Sequence, residues 1–529
     1  MSAATKDVSP VQEQTAAASQ EVRKPEDMNS RYTRNETRFI ALLVAIAWFF
    51  SPFPANIYFP SIPTLTGIFH KSTSSLNLTV TVYLIFQGIS PVVWGPVSDF
   101  YGRRPTYIIC LSILVLSSLG LALVPTNAFW LLLLLRCVQS AGCSSTTALG
   151  AGTIGDITSR KDRGGYLFAS NIGSQLAPVI GPVLGGALAD GLGWRSIFWF
   201  LCILAGCCLS LIITFFPETR ASVDTHRTKL TKLIYLPLIH VIGRSRRNIH
   251  TAPDLAVTSA PALASGPALA TSAHKPPEAP KHTGIRNPLP LFLNPAVSLA
   301  LTFTAIVYAV WYCVTATNST AYAAKYPFLT ETHVGLCYLP LGAGMLVSSL
   351  VQGRILDAQY RRMHDKWVAR RELEAEKGAE AGKGASGGEL EFPVERARLR
   401  LMPYQMAIFA ATVIGWGWAV QAGVHLAVPL VLQLPMGYTY NSVLNTTTTL
   451  MIDIEHEQSS SVTACTNLAR CSLAAILTAV IDYTIKALGY GWTFVILGGV
   501  AALMIPLVYV EMIMGPRWRA RRAAKKAIA

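Results

Sequence analysis

The sequence is poor in charged residues for its length. Asp, Glu, Lys and Arg make up only 14% of its 529 residues, whereas hydrophobic residues make up 51%. A soluble globular chain carries about 25% charged residues. The mean hydropathy is +0.40, and apolar stretches of about 20 residues, the length that crosses a bilayer, recur along the chain. This composition excludes an ordinary soluble domain and predicts a polytopic membrane protein.

Several functional motifs are also missing. The ten cysteines show no paired metal-ligand spacing, so we interpret them as small apolar packing residues. No nucleophile elbow, phosphate-binding loop or metal-ligand motif is present, so we expect neither an enzyme nor a metal site. The first residues, MSAATKDVSPVQEQ, lack the apolar segment and cleavage site of a signal peptide, and none is expected to be removed.

What the chain does contain is two groups of six apolar segments. They are expected at 39–62, 77–98, 105–125, 129–153, 165–189 and 195–216, and at 291–317, 333–356, 402–422, 424–452, 460–485 and 491–514. We therefore predict an all-α membrane protein with twelve transmembrane helices. The loops on one side hold few cations, namely Lys71, Arg195, Lys325 and Lys486, while nearly all other Lys and Arg lie in the tails and the remaining loops. By the positive-inside rule, both termini are expected in the cytoplasm.

The net charge of +15 follows from this topology, so no nucleic-acid partner is expected. Residues 1–36 and 221–286 are polar or rich in Pro, Ala, Ser and Thr, a composition that does not bury enough apolar surface to become ordered. The loop at 361–400 begins as a charged, helix-prone stretch and continues as a flexible Gly-rich run. The predicted organisation is a disordered cytoplasmic tail over 1–37, a six-helix bundle over 38–216, a largely disordered cytoplasmic linker over 217–288, a second bundle over 289–514 with a cytoplasmic insertion at 361–400, and a basic, lipid-facing tail over 515–529.

A short sequence is repeated in the two groups. GPVSDFYGRRP begins at Gly95 and GRILDAQYRRM begins at Gly353, each at the inner end of the second span of its group. At one common offset the matched pairs are Gly95 and Gly353, Asp99 and Asp357, Arg103 and Arg361, and Arg104 and Arg362. Helix-end charges at the membrane interface would explain the arginines, but not the acid and the glycine in register. The match predicts two six-helix bundles related by a pseudo-twofold axis along the membrane normal.

Three motifs, on spans two, four and five, point to a family. After span two, the pattern G-x-x-x-D-x-x-G-R-R is matched by Gly95, Asp99, Gly102, Arg103 and Arg104. In span four, R-x-x-Q-G-x-G is matched by Arg136, Gln139 and Gly142, with Ser140 in place of a glycine. In span five, the G-P-x-x-G-G motif of proton antiporters is matched around Pro178, Gly181, Pro182, Gly185 and Gly186. The sequence resembles the major facilitator superfamily, and within it the quinidine-resistance-type branch of the twelve-span fungal drug:proton antiporters.

This resemblance implies the major facilitator fold and a secondary active transporter that works by alternating access. It implies a monomeric, proton-coupled antiporter that exports small organic compounds, such as drugs, weak organic acids including dicarboxylates, or secondary metabolites. The proton gradient would be its energy source, with no cofactor, and the plasma membrane its location, with a vacuolar or other internal membrane as the alternative. A nutrient, amino-acid or polyamine transporter and a non-transporting membrane sensor stay open as other functions.

Two arginines lie inside predicted spans, where a charge is costly and usually faces a wet cavity or a partner. Arg136 and Gln139 share one helical face, so we expect a cavity-facing cation that acts on the coupling proton or on an anionic substrate. An arginine that closes a buried polar network is the plainer alternative. Arg470 is the counterpart in span eleven, with snorkelling or pairing to a carboxylate as its alternatives.

The other expected site residues are amides and aromatics that would form the wall of a mostly apolar substrate cavity. They are Asn56, Tyr58, Gln87, Trp311, Tyr312, Asn318, Tyr438, Tyr440, Asn441, Asn445 and Asn467. The resemblance also implies that Asp99, Arg103 and Asp156 form an inner-face latch that holds the two bundles in the outward-open state, against independent solvation of helix ends. The other residues of the repeated loops are assigned to the same latch, namely Gly95, Gly102, Arg104, Gly353, Asp357, Arg361 and Arg362. Residues 39–62 contain no carboxylate, although several related transporters carry one there, so the proton carrier is not assigned.

Overall fold

The structure is a computed structural model that describes residues 32–158, 163–220, 292, 294–380, 393–454 and 459–528. All regular secondary structure in these ranges is helical. The disorder predicted for the N-terminal tail and for the linker falls almost wholly on residues outside the described ranges, and so does the Gly-rich part of the insertion.

The first six predicted spans are all helical. Span 1 runs over Arg34–Phe69, as Arg34–Phe49, Phe53–Asn56, a 3-10 turn at Phe59–Ser61 and Ile62–Phe69. The others are span 2 at Thr73–Tyr101, span 3 at Arg103–Ala122, span 4 at Phe129–Cys143 and Ser145–Ile157, span 5 at Arg163–Leu192 and span 6 at Arg195–Phe215. Prolines at 52, 54, 60 and 63 explain why span 1 is broken, because proline lacks the backbone N–H that a helix interior needs.

The second six spans repeat this arrangement. They are span 7 at Pro295–Lys325, span 8 at Glu331–Leu336 and Leu339–Glu380, span 9 at Met402–Ala422 and span 10 at Ala427–Ile454. Ser459–Leu503 contains span 11 and the first part of span 12, which are separated where Gly489 leaves the helical conformation with φ 77° and ψ 172°. Span 12 continues as Ile505–Ile528. A short helix at Val394–Leu399 precedes span 9.

Three helix ends differ from the sequence-based boundaries. Span 1 begins before residue 38 because Thr33 and Glu36 form a capping box at its N-terminus, which satisfies backbone donors that would otherwise lack a partner. Span 8 continues without a turn into the predicted insertion, as far as Glu380. The last helix continues through the basic run to Ile528, so the predicted basic tail is helical in the part that the structure describes.

Eight of these helices or helix runs are long and apolar enough to cross a membrane, by length and composition. Of the remaining predicted spans, span 4 is interrupted at Ser144, spans 9 and 10 are helices of 21 and 28 residues, and spans 11 and 12 form one run with a break at Gly489. We call the side with Arg103, Arg220 and Arg398 the basic face, and the side with Lys71 and Lys325 the opposite face.

Candidate transport cavity

A cavity of about 540 Å³ lies between the two bundles. Spans 1, 2, 4 and 5 line it on one side and spans 7, 8, 10 and 11 line it on the other. The lining reaches from Arg470 and Trp311, near the middle of their helices, to Arg103 and Asp156 at the ends of spans 3 and 4. The cavity therefore extends from the middle of the protein toward the basic face.

The opposite face is closed by close contact between the bundles. Glycines make this possible, because an added Cβ at Gly186 of span 5 would lie 2.3 Å from the carbonyl oxygen of Glu331 in span 8. An added Cβ at Gly335 of span 8 would likewise lie 2.4 Å from the carbonyl oxygen of Pro182 in span 5. Pro182 and Gly186 of the antiporter-type motif thus lie in this contact, which we call the opposite-face seal, whereas an added Cβ at Gly185 would meet Ile57 of span 1 within the same bundle.

Hydroxyl groups hydrogen-bond to carboxylates across the seal. Thr64 of span 1 donates to Glu331 of span 8, and the Thr332 hydroxyl donates to Asp190 of span 5 at 2.7 Å. At a second point, Ser74 of span 2 donates to Asp482 of span 11, which also pairs with Lys486 at 2.9 Å. With the cavity reaching the basic face and the opposite face sealed, this is the conformation open toward the basic face.

The middle of the cavity is built from aromatic rings around one cation. Trp311 and Tyr440 stack with ring centroids 4.4 Å apart and an interplanar angle of 12°. The Arg470 guanidinium carbon lies 4.8 Å from the centre of the Tyr308 ring, a cation–π distance. Across the cavity, Gln175 donates to the side-chain oxygen of Asn441 at 3.0 Å, so the two bundles touch here through amides.

Most of the expected wall residues line this cavity. They are Asn56, Gln87, Trp311, Tyr312, Tyr440, Asn441, Asn445, Asn467 and Arg470. Tyr58, Gln139, Asn318 and Tyr438 are absent from the lining. Sequence reasoning missed Asn171, Ser174, Gln175 and Tyr308. Ser174, Gln175 and Pro178 follow Asn171 by three, four and seven residues, so all four lie on one face of span 5. This mostly polar helix face was the sequence signal that could have identified them.

Arg136 does not line the cavity in this conformation. Its side chain is fully buried, and its guanidinium carbon lies 4.3 Å from the ring centre of Tyr58 and 4.6 Å from that of Tyr83. Nη1 donates to the carbonyl of Pro54 at 3.1 Å and to Gln139 at 2.7 Å. The structure therefore places Arg136 in the buried polar network, the plainer of the two sequence-based interpretations, where it ties span 4 to spans 1 and 2.

The charged loop of the first bundle forms a compact cluster at the basic face. Arg103 pairs with Asp99 at 3.0 Å and with Asp156 at 2.9 Å, and it donates to Ser98 at 2.6 Å. Gly102 holds the turn between spans 2 and 3 with φ 103° and ψ 161°, a conformation that essentially only glycine adopts. All these residues belong to one bundle, so the predicted latch between bundles in the outward-open state stays a prediction.

Arg104 and Glu218 fasten span 3 to the end of span 6. Arg104 donates to the carbonyls of Phe216 at 2.6 Å and Ile213 at 2.7 Å. The Glu218 carboxylate accepts from the backbone N–H of Arg103 at 2.9 Å and of Arg104 at 3.1 Å, which caps span 3 with a negative charge. Burial raises the pKa of Glu218, while the backbone hydrogen bonds that it accepts lower it.

The second bundle carries an equivalent cluster, but with a different arginine. Asp357 contacts Arg398 at 3.7 Å, and Arg398 donates to Asp453 at 2.9 Å. Arg361 and Arg362, which match Arg103 and Arg104 in the sequence, do not join this cluster. Span 8 runs on as a straight helix where span 2 turns back, so Arg361 and Arg362 lie exposed along it.

Comparison with known proteins agrees with this architecture. The sequence model described as Major Facilitator Superfamily matches residues 44–479. The chain belongs to the major facilitator superfamily. The fold is also that of solved members: the match to the crystal structure of a D-xylose–proton symporter has a TM-score of 0.61 at 14% identity, and it covers 88% of this chain and 96% of the symporter. The predicted fold, two six-helix bundles of the major facilitator type, is confirmed.

Curated relatives place this major facilitator protein among fungal transporters. It is 33% identical over 504 residues to Citrate exporter 1 of Aspergillus niger, covering 94% of this chain and 90% of the relative. It is 30% identical over 520 residues to MFS antiporter QDR2 of Candida albicans, covering 96% of each. The predicted resemblance to this branch is confirmed, and the chain is a multi-pass membrane transporter with small-molecule substrates.

Proposed function

We propose that this transporter exports small organic compounds from the cytoplasm across the plasma membrane, in exchange for protons. The observation that carries the proposal is the cavity of about 540 Å³, a volume in the range of small-molecule sites. It is bounded by both bundles, it extends toward the basic face, and it is closed at the opposite face. By the positive-inside rule the basic face is cytoplasmic, so the cavity is in the state that takes up cargo from the cell interior.

The names of the relatives support export and proton exchange. One is a citrate exporter and another is an antiporter. Uptake of nutrients is a weaker candidate, because the motif in span 5 is the type associated with proton antiporters. Two of its residues, Pro182 and Gly186, lie in the opposite-face seal, which must open during a change of access. Release on the far side requires the contacts Thr64 to Glu331 and Ser74 to Asp482 to break. Because the packing surfaces there are glycines against backbone, they separate without large side chains having to disengage.

The test is flux in proteoliposomes that contain the purified full-length chain and a trapped fluorescent pH indicator. A panel of organic acids, amines and neutral compounds is added one at a time, with and without an imposed pH gradient. We expect that a transported compound moves protons in the opposite direction, and that an uncoupler abolishes its gradient-driven accumulation. Flux that is insensitive to the uncoupler contradicts proton exchange, and binding without any flux supports a sensor instead.

A further inference from the structure

The cavity wall carries an unbalanced positive charge. The lining contains three charged residues of the Asp, Glu, Lys and Arg types, namely Arg103, Asp156 and Arg470. Arg103 is neutralised at the rim by Asp156 at 2.9 Å and by Asp99 at 3.0 Å. Arg470 makes no ion pair within 4 Å with any carboxylate in the part of the chain that the structure describes. One cation of the lining therefore faces the cavity without a carboxylate counterion among the described residues.

A lone guanidinium in a membrane protein needs compensation, because the low dielectric of its surroundings strengthens its field and removes its hydration. The protein supplies only part of it. The ring of Tyr308 lies 4.8 Å from the Arg470 guanidinium carbon, and the Nε atom is buried without a hydrogen-bond acceptor. A planar guanidinium binds carboxylates and similar oxyanions through two parallel hydrogen bonds. An oxyanion group on the cargo would therefore supply the counterion for Arg470.

The surroundings of Arg470 also define the rest of the cargo. Trp311 and Tyr440 stack at 4.4 Å on the same wall, and Asn467 lies one turn before Arg470 in span 11. Stacked rings favour an aromatic or apolar body, and a few amides orient its polar groups. Among the lining residues, a second negative charge on the cargo would find no further unpaired cation, because Arg103 is paired with Asp156 and Asp99, and a polyamine would place its charges against Arg470.

We infer that the cargo is an organic anion with a single negative charge on an aromatic or apolar body, and that Arg470 binds its charged group. This inference rests on the proposed function, since it names the substrate class of the same cavity. It excludes polyamines as cargo and favours monoanions over citrate-like polyanions.

The experiment compares two probes of nearly the same shape. Benzenesulfonate carries one negative charge at all accessible pH values, and benzenesulfonamide is neutral at pH 7. Citrate and spermidine complete the set. We expect benzenesulfonate to raise the thermal unfolding temperature of the wild-type protein in detergent and to be transported in proteoliposomes, while the other three do neither. The inference is overturned if benzenesulfonamide stabilises the protein as much as benzenesulfonate does. It is also overturned if citrate or spermidine is transported in preference to benzenesulfonate.

Variants of Arg470 test whether this residue binds the negative charge of the cargo. We expect Arg470→Gln to lower benzenesulfonate transport at least tenfold and Arg470→Lys to retain an intermediate rate, while the exposed Arg361→Gln behaves as wild type. Undiminished benzenesulfonate transport by Arg470→Gln removes Arg470 from the site. If Arg470→Gln does not fold, the wild-type comparison of sulfonate with sulfonamide still decides. Absence of flux for every compound tested counts against the proposed function, whereas flux of cations or neutral compounds alone counts only against the anion site.

Discussion

Adding one methyl group at Gly186 should open the opposite-face seal. The Cβ of alanine would lie 2.3 Å from the carbonyl oxygen of Glu331 and 3.0 Å from its carbonyl carbon. The obstacle is backbone, so no side-chain rotation relieves the clash. Overpacking of this kind costs about 1–3 kcal/mol, and the cost applies only to the state in which the bundles touch. Gly186→Ala should therefore shift the equilibrium roughly 5- to 150-fold toward the state open at the opposite face.

The native thiol of Cys337 reports this shift. It is 5% exposed and lies two residues after Gly335, where an added Cβ would meet the carbonyl oxygen of Pro182 in the seal. We expect a membrane-impermeant thiol reagent to modify Cys337 faster in Gly186→Ala than in wild type, measured on the Cys337 peptide by mass spectrometry. Gly191→Ala is the matched control, because an added Cβ there meets nothing within 4 Å. Equal rates in Gly186→Ala and Gly191→Ala refute the reasoning.

Three further comparisons of variants test other parts of the account. Glu331→Gln keeps an acceptor for Thr64 but makes the hydrogen bond neutral and weaker, and Thr64→Val removes it, so Cys337 labelling should accelerate in both variants and more in Thr64→Val; the opposite order contradicts the proposed contact. Arg398→Gln removes the partner of Asp453 at 2.9 Å, a charged hydrogen bond worth about 1.5–3 kcal/mol, and should lower Tm by several degrees, while Arg361→Gln should not; equal Tm values count against the cluster. Trp311→Ala removes the stack on Tyr440, worth about 0.5–1.5 kcal/mol, and should weaken benzenesulfonate binding roughly 2- to 12-fold in a titration. The half-exposed Trp418 is the control, and equal affinities for the two tryptophan variants count against the stack.

Features with a local cause could be predicted from the sequence. The spans follow from runs of apolar residues, and the polar wall of spans 7, 10 and 11 follows from amides that have no other reason to lie in a membrane. Asp357 was found because it repeats Asp99 at a fixed offset. These signals are contained in a few consecutive residues, so no knowledge of distant contacts was needed.

Features that depend on tertiary contacts could not be predicted in this way. Arg398 replaces Arg361 because span 8 continues as a straight helix past the point where span 2 turns at Gly102, and the sequence offset carries no information on helix length. Arg136 is enclosed by Tyr58 and Tyr83, which come from two other spans, so its burial was not visible from span 4 alone. Whether an intramembrane arginine faces a cavity is decided by its neighbours in space.

The central claim is that one cavity is exposed alternately at the two faces, and distances between the bundles test it most directly. Spin labels are introduced as noncanonical residues, one pair at the exposed Phe100 and Arg400 on the basic face and another at the exposed His70 and Phe328 on the opposite face. With benzenesulfonate and a pH gradient present in proteoliposomes, we predict a second population in which the first distance shortens and the second lengthens. A single, unchanged distribution for both pairs while transport proceeds would contradict alternating access.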